Sequence, residues 1–218
     1  MDEPSDSNLS RAEFAYQRIR EAIRSGEFQP GQRLREADLA EHFRVSRTPI
    51  REAIRRITAD GLLELVPGRG LAVSQFSMQQ VREIYFLRAV LEGAAASSAA
   101  QYASPSEIKA MGDLLDQSAE VLDDPAETGR FNRLFHQAIY EAARNRYLSQ
   151  ALAQLSDALT LLPGTTFEAE GRSPAALEEH RGILDAIVAH APERAEEAAR
   201  AHIRRASETR MDMMFRTA

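Results

Sequence analysis

The sequence predicts a mainly α protein: an N-terminal winged helix-turn-helix followed by a C-terminal all-α antiparallel helical bundle. Three observations carry this. Residues 11–76 run helix, helix, turn, helix, and then two short β-prone stretches around Pro67-Gly68-Arg69-Gly70. Residues 77–218 keep helical spacing throughout, with capping signals ahead of the segments and no alternating strand pattern. Charge changes at the same place: residues 11–76 hold 12 Arg against 9 acids, net +3, whereas 77–218 hold 15 basic and 21 acidic side chains, net −6. The expected organisation is a disordered N-terminus (1–10), a small basic domain (11–76) and a larger acidic one (77–218).

In the small domain, Phe14, Ile19, Ala22 and Ile23 predict a helix over 11–25, ended by Gly26. Phe28-Gln29-Pro30-Gly31 reads as a turn. Leu39, Ala40 and Phe43 face inward from a short helix over 36–43. Ser46 then caps a helix to about residue 60, where Gly61 stops it. Strands are expected over 62–66 and 71–75.

In the larger domain, Ser104-Pro105-Ser106-Glu107 combines an N-cap, a proline at the first helical position and a glutamate at the third. Asp124-Pro125-Ala126-Glu127 repeats the pattern, Ser173-Pro174 gives its first half, and Ser77-Met78-Gln79-Gln80 is a capping box without proline. Helices are expected near 78–102, 105–122, 126–144, 147–162, 174–190 and 193–215, with a loop at 163–173.

The chain has 218 residues and a formal charge of −6, a total that by itself disfavours nucleic acid; only the split above shows the basic block. There is no cysteine, which excludes disulfides, thiolate zinc sites and cysteine nucleophiles. No stretch approaches the roughly 18 apolar residues of a membrane span. The first ten residues are polar and acidic without an apolar signal core, so a cytoplasmic protein with no membrane partner is expected.

On the helix from Ser46, Ile50, Ala53, Ile54 and Ile57 form one apolar stripe. Thr48, Arg51, Glu52 and Arg55 project away from it, and Arg47 lies at its flank. Residues 44–56 hold Arg44, Arg47, Arg51, Arg55 and Arg56 against only Glu52. A helix of this kind fits the major groove of double-stranded DNA, where arginine pairs bidentately with guanine. The Ser46 and Thr48 hydroxyls suit phosphate oxygens, and Arg69 at the hairpin tip suits the adjacent minor groove. The plainer reading, a solvated basic face paired with neighbouring acids, is disfavoured by the order of helix, turn, helix and hairpin.

Gly26-x3-Pro30-Gly31-x2-Leu34, Asp38-Leu39-Ala40-Glu41, Val45-Ser46-Arg47-Thr48-Pro49-Ile50-Arg51-Glu52-Ala53-Ile54 and Asp60-Gly61-Leu62 resemble the GntR family of bacterial transcription regulators across the whole small domain. The resemblance implies that Ser46, Arg47, Thr48 and Arg51 contact DNA and that Gly70 belongs to the wing. Some relatives carry arginine where this chain has Ala37; Arg35 is the nearby alternative.

In the larger domain, His136 shares a helix face with Asn132, four residues earlier, flanked by Phe135, Ile139 and Ala143. His180 lies on the apolar side of its helix with Leu177, Leu184 and Ile187. His202 lies in a stripe of small residues, Ala195, Ala198, Ala199 and Ala206, that would leave room for a cavity. Three inward imidazoles with an oxygen partner suit a first-row divalent metal such as zinc. Spacing alone leaves this open against three satisfied core histidines. His42 and His190 read as surface or structural.

Arg88 falls within a stripe made by Val81, Ile84, Tyr85, Leu91 and Ala95. A buried arginine needs a partner. Either Glu92 at i+4 or a ligand carboxylate could serve, with Arg130 or Arg133 as further anion partners; Tyr85 reads either as core or as lining the same pocket.

Arg88-x2-Leu91-Glu92, Asn132-x3-His136, Asn145-x2-Leu148, Glu179-His180-x2-Ile183-Leu184-x-Ala186-Ile187 and His202-Ile203 resemble the FCD ligand-binding domain of the FadR-like GntR branch, over about 78–215. The resemblance implies metal ligands at His136, His180 and His202, with an aspartate usual at the position of Asn132, and a small carboxylate effector near Arg88, Tyr85, Glu92 and Arg133. A homodimer on a near-palindromic operator, acting as a repressor, follows from the same resemblance. Two other classes compete. A metal-dependent hydrolase would use the three histidines to activate water, but its nearest base, Glu179, points about 100° from His180 on a helix. A constitutive DNA-binding protein would leave the buried Arg88 and the histidines without a use. The expectation is therefore not an enzyme.

Overall fold

The computed structural model describes residues 10–162 and 164–217. The expected disorder of 1–10 thus falls almost wholly outside the described residues, and Ser10, the one described, caps the first helix by accepting from the Glu13 N–H at 3.1 Å. Two compact units are present: one up to Phe76 that also holds 156–162, and one holding 77–155 and 164–217.

The first unit contains α1 (Arg11–Arg24), α2 (Glu36–His42), α3 (Arg47–Ala59), β1 (Leu63–Val66) and β2 (Gly70–Val73). The strands pair antiparallel, Leu63 opposite Val73 and Val66 opposite Gly70. Gly68 and Gly70 turn the hairpin with φ of +74° and +83°, a region L side chains avoid. A third edge was not legible: Arg33 bridges Ala72, and the Leu34 N–H donates to the Leu71 carbonyl at 2.9 Å. These residues sit beside Pro30-Gly31 and lack the alternation that marks a strand. Ile19, Ile23, Leu39, Ile50, Ile57, Leu62 and Leu63 form the core of this unit, joined by Leu161. Asp157 pairs with Arg20 of α1.

The second unit contains α4 (Met78–Tyr102), α5 (Pro105–Ala119), α6 (Pro125–Ala142), most of α7 (Arg146–Leu159), α8 (Arg172–Val188) and α9 (Pro192–Thr217). The capping boxes at Ser77 and Ser104 form as expected, and Asp124 accepts from the N–H groups of Ala126 and Glu127. Two expectations need correction. The 163–173 loop contains a 3-10 turn, Thr166–Glu168, capped by Thr165. And α8 starts at Arg172, with Gly171 (φ +71°) as N-cap and Ser173 buried inside the first turn. Pro174 then stands third in the helix, where its missing N–H would have had no intrahelical partner in any case.

Two of the small residues of α9 serve close helix packing. Ala195 and Ala199 are buried in one cluster with Ala95, Ala96, Ala99 and Ala100 of α4. At Gly93 a Cβ would meet Arg200 Cγ at 2.8 Å. The alanines let two helix backbones approach closely.

Ile50 is completely buried, whereas Leu65 is 75% exposed. Ile50→Ala is therefore expected to lower the unfolding free energy of the first unit by about 2–5 kcal/mol. Leu65→Ala should stay within about 0.5 kcal/mol. Urea titration followed by circular dichroism measures both; equal effects would contradict the burial pattern.

Candidate functional site

In the first unit, α2 ends at Phe43, Arg44 takes φ +54°, and Ser46 opens α3. Pro49, Ile50, Ala53 and Ile57 are buried. Arg47, Thr48, Arg51 and Arg55 are all exposed, with Arg47, Arg51 and Arg55 one helical turn apart on one face. The exposed Ser46 side chain makes no capping hydrogen bond. Arg35 is the exposed N-cap of α2, and Arg69 and Gly70 are exposed on the hairpin. The Arg51 Nε donates to Glu36 at 2.7 Å, but both side chains are well exposed and such a pair is worth little. Arg56 differs from its neighbours. It pairs with Glu13 at 2.7 Å and lies 4.0 Å over the Tyr16 ring, and the Tyr16 hydroxyl donates to Asp60 at 2.8 Å. Arg56 therefore ties α3 to α1 instead of joining the exposed face.

In the second unit, α6, α8 and α9 bring His136, His180 and His202 together. All three are buried, and their nearest ligand atoms lie within 4.8 Å of one another. His202 Nε2 stands 3.3 Å from both His136 Nε2 and His180 Nε2. Two carboxylates back this cluster. His136 Nδ1–H donates to Glu92 Oε2 at 2.8 Å, and His202 Nδ1–H donates to Glu179 Oε2 at 2.7 Å. Since an ionised carboxylate only accepts, each of these Nδ1 atoms carries the proton. In the neutral ring Nε2 then presents a lone pair. With both rings neutral, lone pairs of His136 and His202 face each other at 3.3 Å, an arrangement that repels unless a proton or a metal ion lies between them. The donor set thus fits a divalent metal held by Nε2 atoms, with carboxylates fixing tautomer and ring orientation from behind.

Each carboxylate is matched in turn. Arg88 Nε donates to Glu92 Oε1 at 2.9 Å, and the Tyr140 hydroxyl donates to the same oxygen at 2.6 Å. Burial alone would push the Glu92 carboxyl up, but His136 and the Arg88 guanidinium outweigh it and hold Glu92 well below the usual carboxylate range. Burial, reinforced by the adjacent Glu92, pushes the Tyr140 hydroxyl well above its ordinary value. On the other side, buried Arg172 donates to Glu179 Oε2 at 2.9 Å. Burial pushes His180 and His202 well below the usual imidazole range, and neighbouring positive charge, including Arg172, pushes the same way.

Glu92, expected as an effector contact, is 2% exposed with both oxygens bonded inside the protein. Its place is behind His136. Arg88 takes the i+4 partner. Tyr85 is buried with its ring centre 6.0 Å from the Arg88 guanidinium carbon. Asn132 stands half-buried one turn before His136, and Arg133 is exposed. His190 donates to the Ala100 carbonyl at 2.9 Å and His42 pairs with Glu27, both outside the cluster.

Sequence reasoning missed Arg172 and Tyr140 and weighed Glu179 only as a hydrolytic base beside His180. Glu179 does point away from His180, but toward His202 of a different helix. The available signal was the seven-residue spacing of Arg172 and Glu179, which puts both on one face of α8.

A recognition helix with an arginine face beside a β-wing defines a DNA-binding regulator. Residues 11–73 match the model of bacterial regulatory proteins of the gntR family, and residues 83–205 match that of the FCD domain. The chain belongs to the GntR family of DNA-binding transcription regulators, and its second unit is an FCD domain. It is 31% identical to a probable D-xylose utilization operon transcriptional repressor of Paenarthrobacter nicotinovorans, over 83% of this chain and 80% of that protein. It is 30% identical to the HTH-type transcriptional regulator McbR of Escherichia coli, over 74% and 73%, and 29% identical to the uncharacterized HTH-type transcriptional regulator YdhC of Bacillus subtilis, over 86% and 84%. Among solved structures, E. coli McbR/YncC shares the fold with a TM-score of 0.75 at 23% identity, covering 90% of this chain and 95% of that one. These relatives are regulators, not enzymes. Among the described residues no helix is long and apolar enough to cross a membrane.

Because folded His180 and His202 stay neutral, the metal-free protein should lose stability in acid. Below about pH 6.5 the unfolded chain binds protons that the folded chain refuses, so unfolding free energy falls as pH falls. A slope of up to about 2–3 kcal/mol per pH unit is expected just below that point, above the carboxylate range. Urea titrations in EDTA from pH 7.5 to 5 test it; a flat profile would contradict buried neutral imidazoles.

Proposed function

We propose that this regulator is a homodimeric repressor whose FCD domain binds a small organic-acid effector beside a divalent metal, and that effector binding changes its hold on operator DNA. The carboxylate-backed cluster of three imidazoles carries this reading.

On the DNA side, α3 enters the major groove. Arg47, Arg51 and Arg55 reach base edges, while Ser46, Thr48 and Arg35 hold phosphates and position the helix. Arg69, held at the hairpin tip by the turn through Gly70, reaches the neighbouring minor groove. The Arg51–Glu36 pair opens on binding, at small cost because it is exposed. Two-fold symmetry of the dimer would match two half-sites of a near-palindromic operator.

On the effector side, His136, His180 and His202 hold the metal through Nε2, and the Asn132 amide oxygen is the fourth protein ligand. Zinc fits this nitrogen-rich set. Bound there, the metal supplies a Lewis-acidic anchor for a carboxylate. In this reading Arg88, Tyr85 and Arg133 orient the rest of the effector. The effector acts on DNA binding only if it prefers one of two arrangements of the dimer. The repressor sign is supported by the printed name of the Paenarthrobacter relative.

Arg51→Ala is expected to abolish discrimination between the operator and random duplex, whereas a lost phosphate contact would weaken both alike. Fluorescence anisotropy with the two duplexes decides this; unchanged preference would remove Arg51 from base reading. His180→Ala is expected to eliminate bound metal. Equal metal content in variant and wild type by elemental analysis would sink the three-histidine site.

A further inference from the structure

The charges around the three histidines are already balanced before any cation arrives. Glu92, behind His136, is matched by Arg88, and Glu179, behind His202, is matched by Arg172. Arg205 adds a further positive charge 3.5 Å from the second Glu179 oxygen. Among the described residues, no carboxylate oxygen joins the three imidazoles as a potential ligand. The remaining side chain of the His136 face, Asn132, is a neutral amide. A divalent cation held by these groups would therefore bring two uncompensated positive charges into a buried region flanked by guanidinium groups. Burying unpaired charge is strongly unfavourable. Water at an open position would supply at most one negative charge, as hydroxide, and leave the second uncompensated.

We infer that metal and effector bind this chain as a pair. The centre holds a divalent metal tightly only when a small anion with two negative charges, a dicarboxylate, is bound with it. This rests on the three-histidine reading above and adds a condition to it. An aspartate at position 132 would cancel one charge from inside the protein; the asparagine passes that role to the ligand. By linkage, the metal strengthens dicarboxylate binding by the same factor that the dicarboxylate strengthens metal binding. The FCD domain then responds to the coincidence of the two, and neither alone occupies the site well.

The test titrates zinc into the untagged full chain, with free zinc set by a chelator buffer so that weak solution complexes do not matter. Three buffers of equal ionic strength are compared: one free of carboxylates, one with acetate and one with succinate. Succinate is expected to tighten zinc binding about tenfold or more, within the usual range of coupling between two ligands, and more than acetate does. Asn132→Asp is expected to tighten zinc in the carboxylate-free buffer by about tenfold and to shrink the succinate effect to about threefold or less. Zinc affinity in succinate within about threefold of the carboxylate-free value would overturn the coupling while leaving the metal site intact. An undiminished succinate effect in Asn132→Asp would overturn the charge account. Failure of the wild-type chain to bind zinc in all three buffers, as His180→Ala is expected to fail, would remove the underlying three-histidine reading instead.

Discussion

Two hydrogen bonds, His136 to Glu92 and His202 to Glu179, determine what the helical unit can do. Each fixes a proton on Nδ1 and so turns a lone pair toward the same point. Neither carboxylate could remain buried without its own cation, and Arg88 and Arg172 supply them. The result is two relays of arginine, glutamate and histidine that meet at one centre from opposite sides. The centre is built on four long helices, α4, α6, α8 and α9, so its geometry depends on helix packing and not on a loop.

That packing has its own requirement. Glu92 lies on α4 and His202 on α9, and the two helices must run close for the relays to converge. Small residues permit it: Ala95, Ala96, Ala99 and Ala100 on one side, Ala195 and Ala199 on the other. Gly93, next to Glu92, has room for no Cβ against Arg200 unless that side chain shifts. The alanine stripe is thus a condition for the histidine cluster, through close backbone approach.

The fold was largely legible because its signals are local. Ser77, Ser104 and Asp124 mark helix starts through side chains bonded three residues on, and the Ile50, Ala53 and Ile57 stripe marks α3 within a dozen residues. The start of α8 was misread because Ser173-Pro174 imitates a cap, while the decisive feature is the left-handed Gly171. The edge at Arg33 was invisible because its partner is Ala72, far along the chain. In the site, the histidines could be found from the apolar faces they occupy. Their supporting carboxylates could not: Glu92 and Glu179 meet histidines 44 and 23 residues away, on other helices. A glutamate read only against its own helix looks like a partner for Arg88, or like a solvent-facing neighbour of His180.

The two halves of the net charge now have different physical meanings. In the small unit the excess of arginine is spread over an exposed face, where each charge keeps its water until a phosphate or base edge replaces it. In the helical unit the functional charges are buried, and each needs a counter-charge. The two carboxylates bonded to the histidines are each matched by an arginine, so among the described residues neither is a surplus negative charge for a metal. That separates this centre from one in which an acid ligates directly. A protein acid would commit part of the compensation permanently; an amide leaves it to whatever anion enters. On the coupling proposed above, the asparagine that weakens the bare metal site would make it responsive to a ligand, which is the property a regulator requires of a sensing domain.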